Sequence, residues 1–376
     1  MIYLDHNATA PVRVEVREAM ARCLAEEFGN PSSAHQVGGR ARAAVEAARR
    51  TIAEVIAARP SEVVFTSGGT EGNNLALFGL VAGRDRPHLV VSPIEHPSVI
   101  APAREVERRG GRVTWLPVNP EGRVDPADVA AAIDRDTAVV SAGWANNEIG
   151  TVQDIAAIAE VCRRRGVRLH VDAVQALGKI PISVRDVDTC SVSAHKIGGP
   201  KGVGALFVRG GVTLPPLVFG GEQERGVRPG TENLPGIVGF AAAARCAQPG
   251  ARWVELRERL WCGIASCGGV RRNSPAERCL PNTLHVSFAE IRGETLVAAL
   301  DLEGVAVSAG SACAAGASEP SHILRALGRG ENEAREGLRL SLGVDTTSEE
   351  IDEVVRILTR VVRRVRGVRG QWAANG

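Results

Sequence analysis

Residues 167–208 read VRLHVDAVQALGKIPISVRDVDTCSVSAHKIGGPKGVGALFV and contain three short apolar runs, each flanked by polar or glycine-rich segments. Three similar runs precede them in the chain, and long Ala/Arg/Glu-rich helical patterns lie between the runs. The six runs are Glu62 to Thr66, His88 to Ser92, Thr137 to Ala142, Val167 to Asp172, Thr189 to Ser193 and Gly204 to Val208. This alternation predicts an α/β domain around a mostly parallel sheet, in which ligands bind beyond the carboxyl ends of the strands.

The pattern changes towards the C-terminus. A helical pattern runs from Arg252 to Cys262 and a strand-like segment from Thr283 to Phe288, which predicts a second, smaller α+β domain. We expect the large domain to span residues 15–250 and the small domain to combine residues 1–14 with 251–376. A chain of 376 residues is long enough for one large core and one smaller core.

Composition excludes several classes of partner. The 45 Lys plus Arg residues face 43 Asp plus Glu, and the net charge of +2 gives no excess to hold nucleic acid or a membrane surface. No apolar run approaches the roughly 20 residues that cross a bilayer, and no signal-like stretch follows Met1. The eight cysteines include no C-x-x-C pair, which argues against a disulfide framework and against a metal or iron–sulfur site. We therefore expect a soluble, cytoplasmic protein with small, specific partners.

A glycine-rich segment follows the first predicted strand. It reads Thr66-Ser67-Gly68-Gly69-Thr70-Glu71-Gly72-Asn73-Asn74 and leads into an apolar helix from Leu75 to Val81. Glycines let backbone amides converge and a helix N-terminus favours negative charge, so the segment suits a phosphate group. Taken alone, it is explained equally well as a simple helix cap.

Two later strands end in groups that can do chemistry. Asp172 ends one strand, where a carboxylate can hold a metal, a base or a protonated ring nitrogen, or can cap the next helix. The next strand closes with Ser193-Ala194-His195-Lys196 ahead of a Gly/Pro-rich turn. A lysine there can form an imine with a carbonyl cofactor if its neighbours lower the pKa of the amine, although most lysines simply lie at the surface. Lysine occurs elsewhere only at Lys179 and Lys201, which favours a dedicated role for Lys196.

The glycine-rich loop, the strand-end aspartate and the Ser-x-His-Lys segment, in this order, resemble the fold type I enzymes that use pyridoxal 5'-phosphate, in their class V aminotransferase branch. Within that branch the chain resembles the cysteine desulfurases, from Tyr3 to about Asp352. Five further stretches carry this resemblance: Tyr3 to Thr9, Gly29 to Ser33, Glu95-His96, Ala145 to Gln153, and Arg228 to Asn233. The last of these lies in an aperiodic, Gly/Arg/Pro-rich segment from Gly220 to Pro235, which we expect to form a functional loop over the site.

A cysteine near the C-terminus distinguishes a desulfurase from a plain transaminase. The segment Gly310-Ser311-Ala312-Cys313-Ala314-Ala315-Gly316, followed by Glu319 to Leu324, resembles the long catalytic-cysteine loop of that family. The resemblance implies that the thiolate of Cys313 attacks the sulfur of bound L-cysteine, that a persulfide remains on the enzyme and that L-alanine leaves. The small neighbours of Cys313 suit a thiol that visits the cofactor and then presents its sulfur outside. We expect the other seven cysteines to be ordinary packing residues.

The resemblance also implies how the cofactor is held. Lys196 carries it as a Schiff base and moves protons at the substrate, and Asp172 pairs with the protonated pyridine nitrogen. Gln175 hydrogen-bonds the phenolate oxygen of the ring. His96 stacks on the ring and acts as an acid or base. The phosphate contacts are the Gly69 backbone, Thr70, Ser193 and His195.

Three further residues concern the substrate and a second subunit. Asn147, at the cofactor, and Arg339 match positions that bind the substrate carboxylate, and Arg339 offers a bidentate guanidinium. Asn147 can instead hold a turn, and Arg339 can instead be a surface charge. Thr231 matches a residue that reaches the phosphate of a neighbouring subunit, which implies a homodimer.

The sequence leaves alternatives open. A selenocysteine lyase or another class V enzyme has the same fold, and a scaffold without catalysis can also retain it. A sulfur-acceptor protein is implied, but its pathway is open between iron–sulfur cluster assembly, transfer RNA thiolation, DNA phosphorothioation and specialised biosynthesis.

Overall fold

A computed structural model describes residues 1–250, 252–310 and 319–375, with side chains described up to residue 367. The strands are β1 (Ile2–Tyr3), β2 (Val63–Thr66), β3 (His88–Val91), β4 (Arg112–Trp115), β5 (Thr137–Gly143), β6 (Arg168–Asp172), β7 (Thr189–Ser193), β8 (Gly204–Val208), β9 (Val270–Arg272), β10 (Thr283–Phe288), β11 (Val305–Ala306) and β12 (Gly337–Ser341). The helices are α1 (Val14–Glu26), α2 (Gln36–Ile56), α3 (Gly69–Val81), α4 (Pro97–Arg108), α5 (Pro126–Ala132), α6 (Ile155–Arg165), α7 (Leu234–Cys246), α8 (Trp253–Ala265), α9 (Gly293–Asp301), α10 (His322–Ala326) and α11 (Ser348–Asn375).

A seven-stranded sheet forms the centre of the molecule, in the order β2-β8-β7-β6-β5-β3-β4. Strands β4, β3, β5, β6 and β7 run parallel, while β8 is antiparallel to both β7 and β2. Strand β8 is thus the one strand of this sheet that runs in the opposite direction. The carboxyl ends of β2, β3, β5, β6 and β7 therefore meet at one edge of the sheet.

The six predicted strands are confirmed to within one residue at either end. Strand β4 was not predicted. It contains only Arg112, Val113, Thr114 and Trp115, lies at the sheet edge and is paired with β3 alone. A short, partly exposed edge strand has no continuous apolar run, so its sequence gives a weak signal.

Helices cover both faces of this sheet. Along β3, the side chain of Val90 packs into one large apolar cluster, whereas Leu89 and Val91 pack into a second cluster with α3 and α4. Alternate residues of a strand point to opposite faces, so a strand buried on both faces reads as a continuous apolar run. This explains why these strands could be recognised from sequence.

A separate apolar cluster lies in the C-terminal part of the chain. It contains Leu4 and residues between Trp253 and Val362, and it is built on the antiparallel sheet β12-β10-β9 with helices α8, α9 and α11. The N-terminal segment reaches it because β1 pairs with β11. We propose the division into residues 15–250 and residues 1–14 with 251–376 on the basis of these separate cores.

The bounds of two helices differ from the prediction. Helix α3 begins at Gly69, so the glycine-rich segment itself forms the first helical turn ahead of Leu75. Helix α8 runs from Trp253 to Ala265 and thus extends beyond the predicted end at Cys262. No helix among the described residues is long and apolar enough to cross a membrane.

Candidate active site

A cavity of about 210 Å³ opens at the shared edge of the parallel strands. Segments that follow five of these strands line it, and strand β12 contributes one residue from the C-terminal core. Ten residues predicted from the sequence line this cavity: Gly69, Thr70, His96, Asn147, Asp172, Gln175, Ser193, His195, Lys196 and Arg339. The sheet therefore brings together residues that lie up to 270 positions apart in the chain, from Gly69 to Arg339.

Two predicted site residues are not part of this lining. Thr231 is exposed and lies outside the cavity. The segment that precedes it is anchored by Glu224, whose carboxylate accepts two hydrogen bonds of 2.7 Å from Arg49 of α2 and one of 2.9 Å from the backbone of Phe65 in β2. No residue of the predicted loop from Gly220 to Pro235 lines the cavity of this chain, and Leu234 already begins α7. Cys313 lies outside the described residues.

The N-terminus of α3 forms one corner of the cavity. A side chain at Gly69 would overlap Val174, so only glycine allows this turn to approach the segment after β6. Ser193 lies beside the turn, since a Cβ at Gly68 would lie 3.8 Å from its hydroxyl oxygen. The imidazole of His195 lies with its Nδ1 3.2 Å from Thr9 Oγ1, and burial lowers the pKa of His195 to about 4, helped by Lys196.

Asp172 is held by a buried chain of hydrogen bonds. Its Oδ2 accepts a hydrogen bond of 2.7 Å from Asn73 Nδ2, and its Oδ1 accepts one of 2.9 Å from the backbone of Val174. Asn73 Oδ1 lies 3.0 Å from Nε2 of His170, whose Nδ1 lies 2.9 Å from Thr189 Oγ1. Burial lowers the pKa of His170 to about 3, so its neutral ring can donate from Nε2 to the asparagine.

His96 is oriented by Ser98. Its Nδ1 accepts a hydrogen bond of 3.1 Å from the backbone N–H of Ser98 and lies 2.7 Å from the hydroxyl oxygen. Burial lowers the pKa of His96, and the nearby charge of Asp172 opposes this shift. Because Nδ1 is an acceptor, the neutral ring carries its proton on Nε2.

The amine of Lys196 lies between two elements of the site. Its Nζ donates hydrogen bonds to the backbone oxygens of Asn7, at 2.6 Å, and Ala8, at 2.8 Å. Lys196 lines both the main cavity and a second cavity of about 250 Å³. These two hydrogen bonds from Lys196 to the N-terminal segment therefore orient the amine as long as it forms no covalent bond to another molecule.

Arg339 has a buried donor for which the described residues offer no partner. Its Nη2 donates to Asp5 Oδ1 at 2.7 Å and its Nη1 to the backbone oxygen of Asn147 at 3.0 Å. The Nε atom is buried and has no hydrogen-bond partner among the described residues. A buried, unsatisfied N–H of a guanidinium costs free energy, which an anionic ligand in the cavity can recover.

The neighbouring asparagine clarifies the position of Asn147. Asn146 holds the local turn, because its Oδ1 accepts hydrogen bonds from the backbones of Glu148 and Ile149, both at 2.9 Å. Asn146 and Asn147 both line the cavity. Among the described residues, the side-chain hydrogen bonds of this turn belong to Asn146, whereas the backbone oxygen of Asn147 accepts from Arg339 and Asn7.

Several contributors were missed by the sequence reasoning. Glu95 lines the cavity and is buried, and this burial, with the nearby Asp172, raises its pKa to about 8. Asn7, Asn73 and Ser98 position other groups through hydrogen bonds. Asn7, Asn73 and Glu95 stood within motifs that carry the resemblance, but their partners lie far away in the chain and could not be read from it.

Known proteins match this chain along its whole length. A family model for class V aminotransferases matches residues 2–354. A cysteine desulfurase IscS of Dictyoglomus turgidum is 41% identical, with 100% of this chain and 98% of that protein covered. The cysteine desulfurase IscS of Aeromonas hydrophila is 45% identical, with coverages of 99% and 95%.

Solved structures agree with these matches. A NifS-like protein superposes with a TM-score of 0.91 at 37% identity and covers 96% of this chain and 99% of its own. A structure described as SspA in complex with cysteine gives a TM-score of 0.82 at 37% identity, with coverages of 91% and 99%. The chain therefore belongs to the class V aminotransferase family. Within that family it is a cysteine desulfurase, an enzyme that depends on pyridoxal 5'-phosphate.

The described residues fit this cofactor. An anionic phosphate suits the helix N-terminus beside Thr70, Ser193 and His195, and a carboxylate such as Asp172 suits a protonated ring nitrogen. The amine of Lys196 in the same cavity is the group that can bond the aldehyde carbon.

Proposed function

We propose that this cavity is the place where L-cysteine loses its sulfur, with Lys196, Asp172 and His96 acting on the reacting groups. The observation that carries the proposal is the meeting of ten predicted residues in one cavity. They come from five strand ends and from β12, so their convergence is a property of the fold and not of neighbouring positions in the chain.

The cofactor side of the cavity would be formed by six groups. Thr70, Ser193, His195 and the backbone at Gly69 would hold the phosphate, Asp172 would hold the ring nitrogen, and Gln175 would hydrogen-bond the phenolate oxygen. When bound, pyridoxal 5'-phosphate supplies an electron sink for bonds at the substrate carbons. Asn73 keeps the carboxylate of Asp172 directed into the cavity through its 2.7 Å hydrogen bond.

Proton transfer falls to Lys196 and His96. Both line the cavity, and a lysine amine that is released from the cofactor can take and return a proton at the substrate α-carbon. The lowered pKa of His96 keeps its ring neutral at physiological pH, so that it can exchange a proton at Nε2.

The substrate carboxylate would bind to Arg339 and Asn147. The Nε of Arg339, which has no acceptor among the described residues, supports this assignment, because a carboxylate oxygen can accept from this N–H. The contact with Asp5 fixes the plane of the guanidinium, so little side-chain freedom is lost when the substrate binds.

Sulfur transfer is assigned to Cys313 from its sequence motif. The thiolate attacks the sulfur of the bound L-cysteine, an S–S bond forms and the carbon–sulfur bond breaks. The electron pair of the broken bond stays with the substrate carbon, which then takes a proton, and L-alanine leaves. The persulfide on Cys313 is subsequently passed to an acceptor protein.

We propose a homodimer in which Thr231 reaches the phosphate site of the partner. Thr231 is exposed and lies outside the cavity of its own chain, and Glu224 anchors the segment that precedes it, which leaves Thr231 accessible to a partner. The apolar residues Leu217, Val218 and Phe219 are 41%, 68% and 87% exposed and lie nearby in the chain, as suits a surface that another molecule covers. A cytoplasmic location is proposed because the described cysteines are free thiols.

Replacement of the proposed nucleophile tests this function. The variant Cys313→Ala should form no persulfide and release no sulfide from L-cysteine, while the absorbance band of the bound cofactor stays intact. Cys262→Ala, which removes an exposed thiol, is the matched control and should retain full activity. Sulfur release at the wild-type rate in Cys313→Ala would refute the assignment.

A further inference from the structure

A second buried lysine lies next to the cofactor lysine. Lys179 is only 3% exposed, although lysines are almost never fully buried without a partner. It follows Gln175 by four residues in a helical turn after β6, which places the two side chains on the same side. The preceding Gly178 has a φ of 71°, a left-handed conformation that turns the chain at this point.

The amine of Lys179 binds two amide oxygens. Its Nζ donates to Gln175 Oε1 at 2.5 Å and to Asn7 Oδ1 at 2.7 Å. Both amides are also held at their nitrogen ends. Gln175 Nε2 donates to the backbone oxygen of Asn7 at 2.9 Å, and Asn7 Nδ2 donates to the backbone oxygen of Asn147 at 3.2 Å.

The charged surroundings of Lys179 are positive. Lys196 and Arg339 act on it, and burial together with these cations lowers the pKa of Lys179 well below its ordinary value. Lys179 in turn lowers the pKa of His6 and of His195. A neutral amine still carries two N–H groups, which matches the two amide oxygens, so the contacts do not require the charged form.

These contacts decide which end of the Gln175 amide faces the cavity. The oxygen and nitrogen of a glutamine amide are similar in size, so only hydrogen-bond partners select the orientation. Lys179 donates to Oε1, and the backbone carbonyl of Asn7, which can only accept, takes its hydrogen bond from Nε2. The second N–H of Nε2 is then left for a group in the cavity, which Gln175 lines.

We propose that Lys179 is a positioning residue that fixes the Gln175 amide so that it presents an N–H to the cofactor oxygen beside it. The proposal rests on the proposed function of the cavity, in which Gln175 binds the phenolate oxygen of the ring. Without Lys179, Oε1 loses its donor and only the hydrogen bond from Nε2 to the backbone oxygen of Asn7 still orients the amide, so that the N–H faces the cofactor oxygen for less of the time. The side-chain oxygen of Asn7 also accepts from Lys179, and the backbone oxygen of Asn7 accepts from Lys196. Lys179 therefore orients Gln175 directly and also contacts the residue that holds the amine of Lys196.

A spectroscopic titration of the cofactor-loaded enzyme tests this role. The pH at which the absorbance band of the bound cofactor changes depends on how well its phenolate oxygen is stabilised. In Lys179→Met that midpoint should rise by roughly one pH unit, because the loss of the hydrogen bond that positions Gln175 disfavours the anionic oxygen. Lys201→Met removes an exposed lysine that also acts on His195, and its midpoint should stay at the wild-type value.

A double-mutant cycle separates positioning from a general effect. In a Gln175→Leu background, Lys179→Met should shift the midpoint by much less than in the wild-type background, because the group through which Lys179 acts is absent. Equal shifts in both backgrounds, or no shift in either, would overturn the proposal. Thermal unfolding of each cofactor-free variant reports folding. If Lys179→Met does not fold, Lys179→Leu, which also lacks an N–H donor, takes its place in the same cycle, and an unchanged midpoint there would also overturn the proposal.

The two possible failures are distinguishable. A wild-type enzyme that forms no cofactor absorbance band contradicts the proposed function itself. A normal wild-type band with a titration that is insensitive to Lys179 contradicts only the positioning role.

Discussion

The two sides of the cavity differ in how far the protein satisfies its own polar groups. On the side of Asp172, the carboxylate oxygens accept from Asn73 and Val174, and Asn73 is itself held by His170. On the side of Arg339, one buried N–H has no partner among the described residues. The hydrogen bonds around Asp172 are formed before the cofactor binds, which suits a cofactor that remains bound. The missing hydrogen bond at Arg339 suits a substrate that binds and is then released. Substitutions on the Asp172 side should therefore change cofactor affinity, and substitutions on the Arg339 side should change substrate binding.

The largest effect is expected for Lys196, which belongs to both sides because it bonds the cofactor and moves protons at the substrate. Lys196→Ala should lower kcat by roughly 10³-fold or more. Borohydride reduction of the wild-type enzyme, followed by peptide mapping, should find the cofactor attached at Lys196. Attachment at Lys179 or Lys201 would contradict the assignment of Lys196 both to cofactor bonding and to proton transfer at the substrate.

Arg339→Lys tests the Arg339 side. The charge remains, but the Nε donor is lost, so kcat/KM for L-cysteine should fall by about 10- to 100-fold, mainly through KM. The affinity for pyridoxal 5'-phosphate should not change. Arg259→Lys, at an exposed ion pair with Asp352, is the control and should behave as wild type. A loss of cofactor affinity in Arg339→Lys would mean that the two sides are not independent.

Asn73→Ala tests the Asp172 side. Asp172 and His170 then lose a buried hydrogen-bond partner, so cofactor affinity should fall by about tenfold and the cofactor-free protein should melt at a lower temperature. Asn119→Ala removes hydrogen bonds of a surface turn and should lower stability without any change in cofactor affinity. If cofactor affinity falls equally in Asn73→Ala and Asn119→Ala, the hydrogen bonds around Asp172 have no specific role in binding the cofactor.

The smallest effect concerns the pH dependence of stability and Glu95. Its pKa is about 8 in the folded protein and about 4.5 in the unfolded chain, so the folded state holds the extra proton between these values. The stabilisation from this proton is complete below pH 4.5 and is lost as pH rises through 8. Glu95→Gln mimics the protonated acid, so its melting temperature should fall less than that of the wild type between pH 6 and pH 9, by on the order of a few degrees. Glu107→Gln, at an exposed position, is the control, and its melting temperature should depend on pH as that of the wild type does. The same pH dependence in Glu95→Gln as in the wild type would show that Glu95 is ionised throughout this pH range.

Much of the architecture could be predicted because its signals are local. Strands buried on both faces, such as β6 and β7, appear as continuous apolar runs, and the residues that end them are adjacent in sequence. The edge strand β4 has no such run and was missed. The hydrogen bonds of Asn73 with Ser98, of Lys179 with Asn7 and of Asn7 with Thr283 join residues 25 to 276 positions apart, and such partners follow only from the packed structure. The sequence showed that Lys179 is one of three lysines, but it did not show that the amine is buried.

The central claim is that the thiol of Cys313 takes the sulfur from a substrate bound at Lys196. Incubation of the enzyme with L-cysteine, followed by alkylation and peptide mass spectrometry, tests it most directly. We predict one additional sulfur atom on the peptide that contains Cys313, in an amount that matches the L-alanine formed in the first turnover, and none in Lys196→Ala. L-alanine formed in that amount with the additional sulfur on another cysteine, or on none, would contradict the claim.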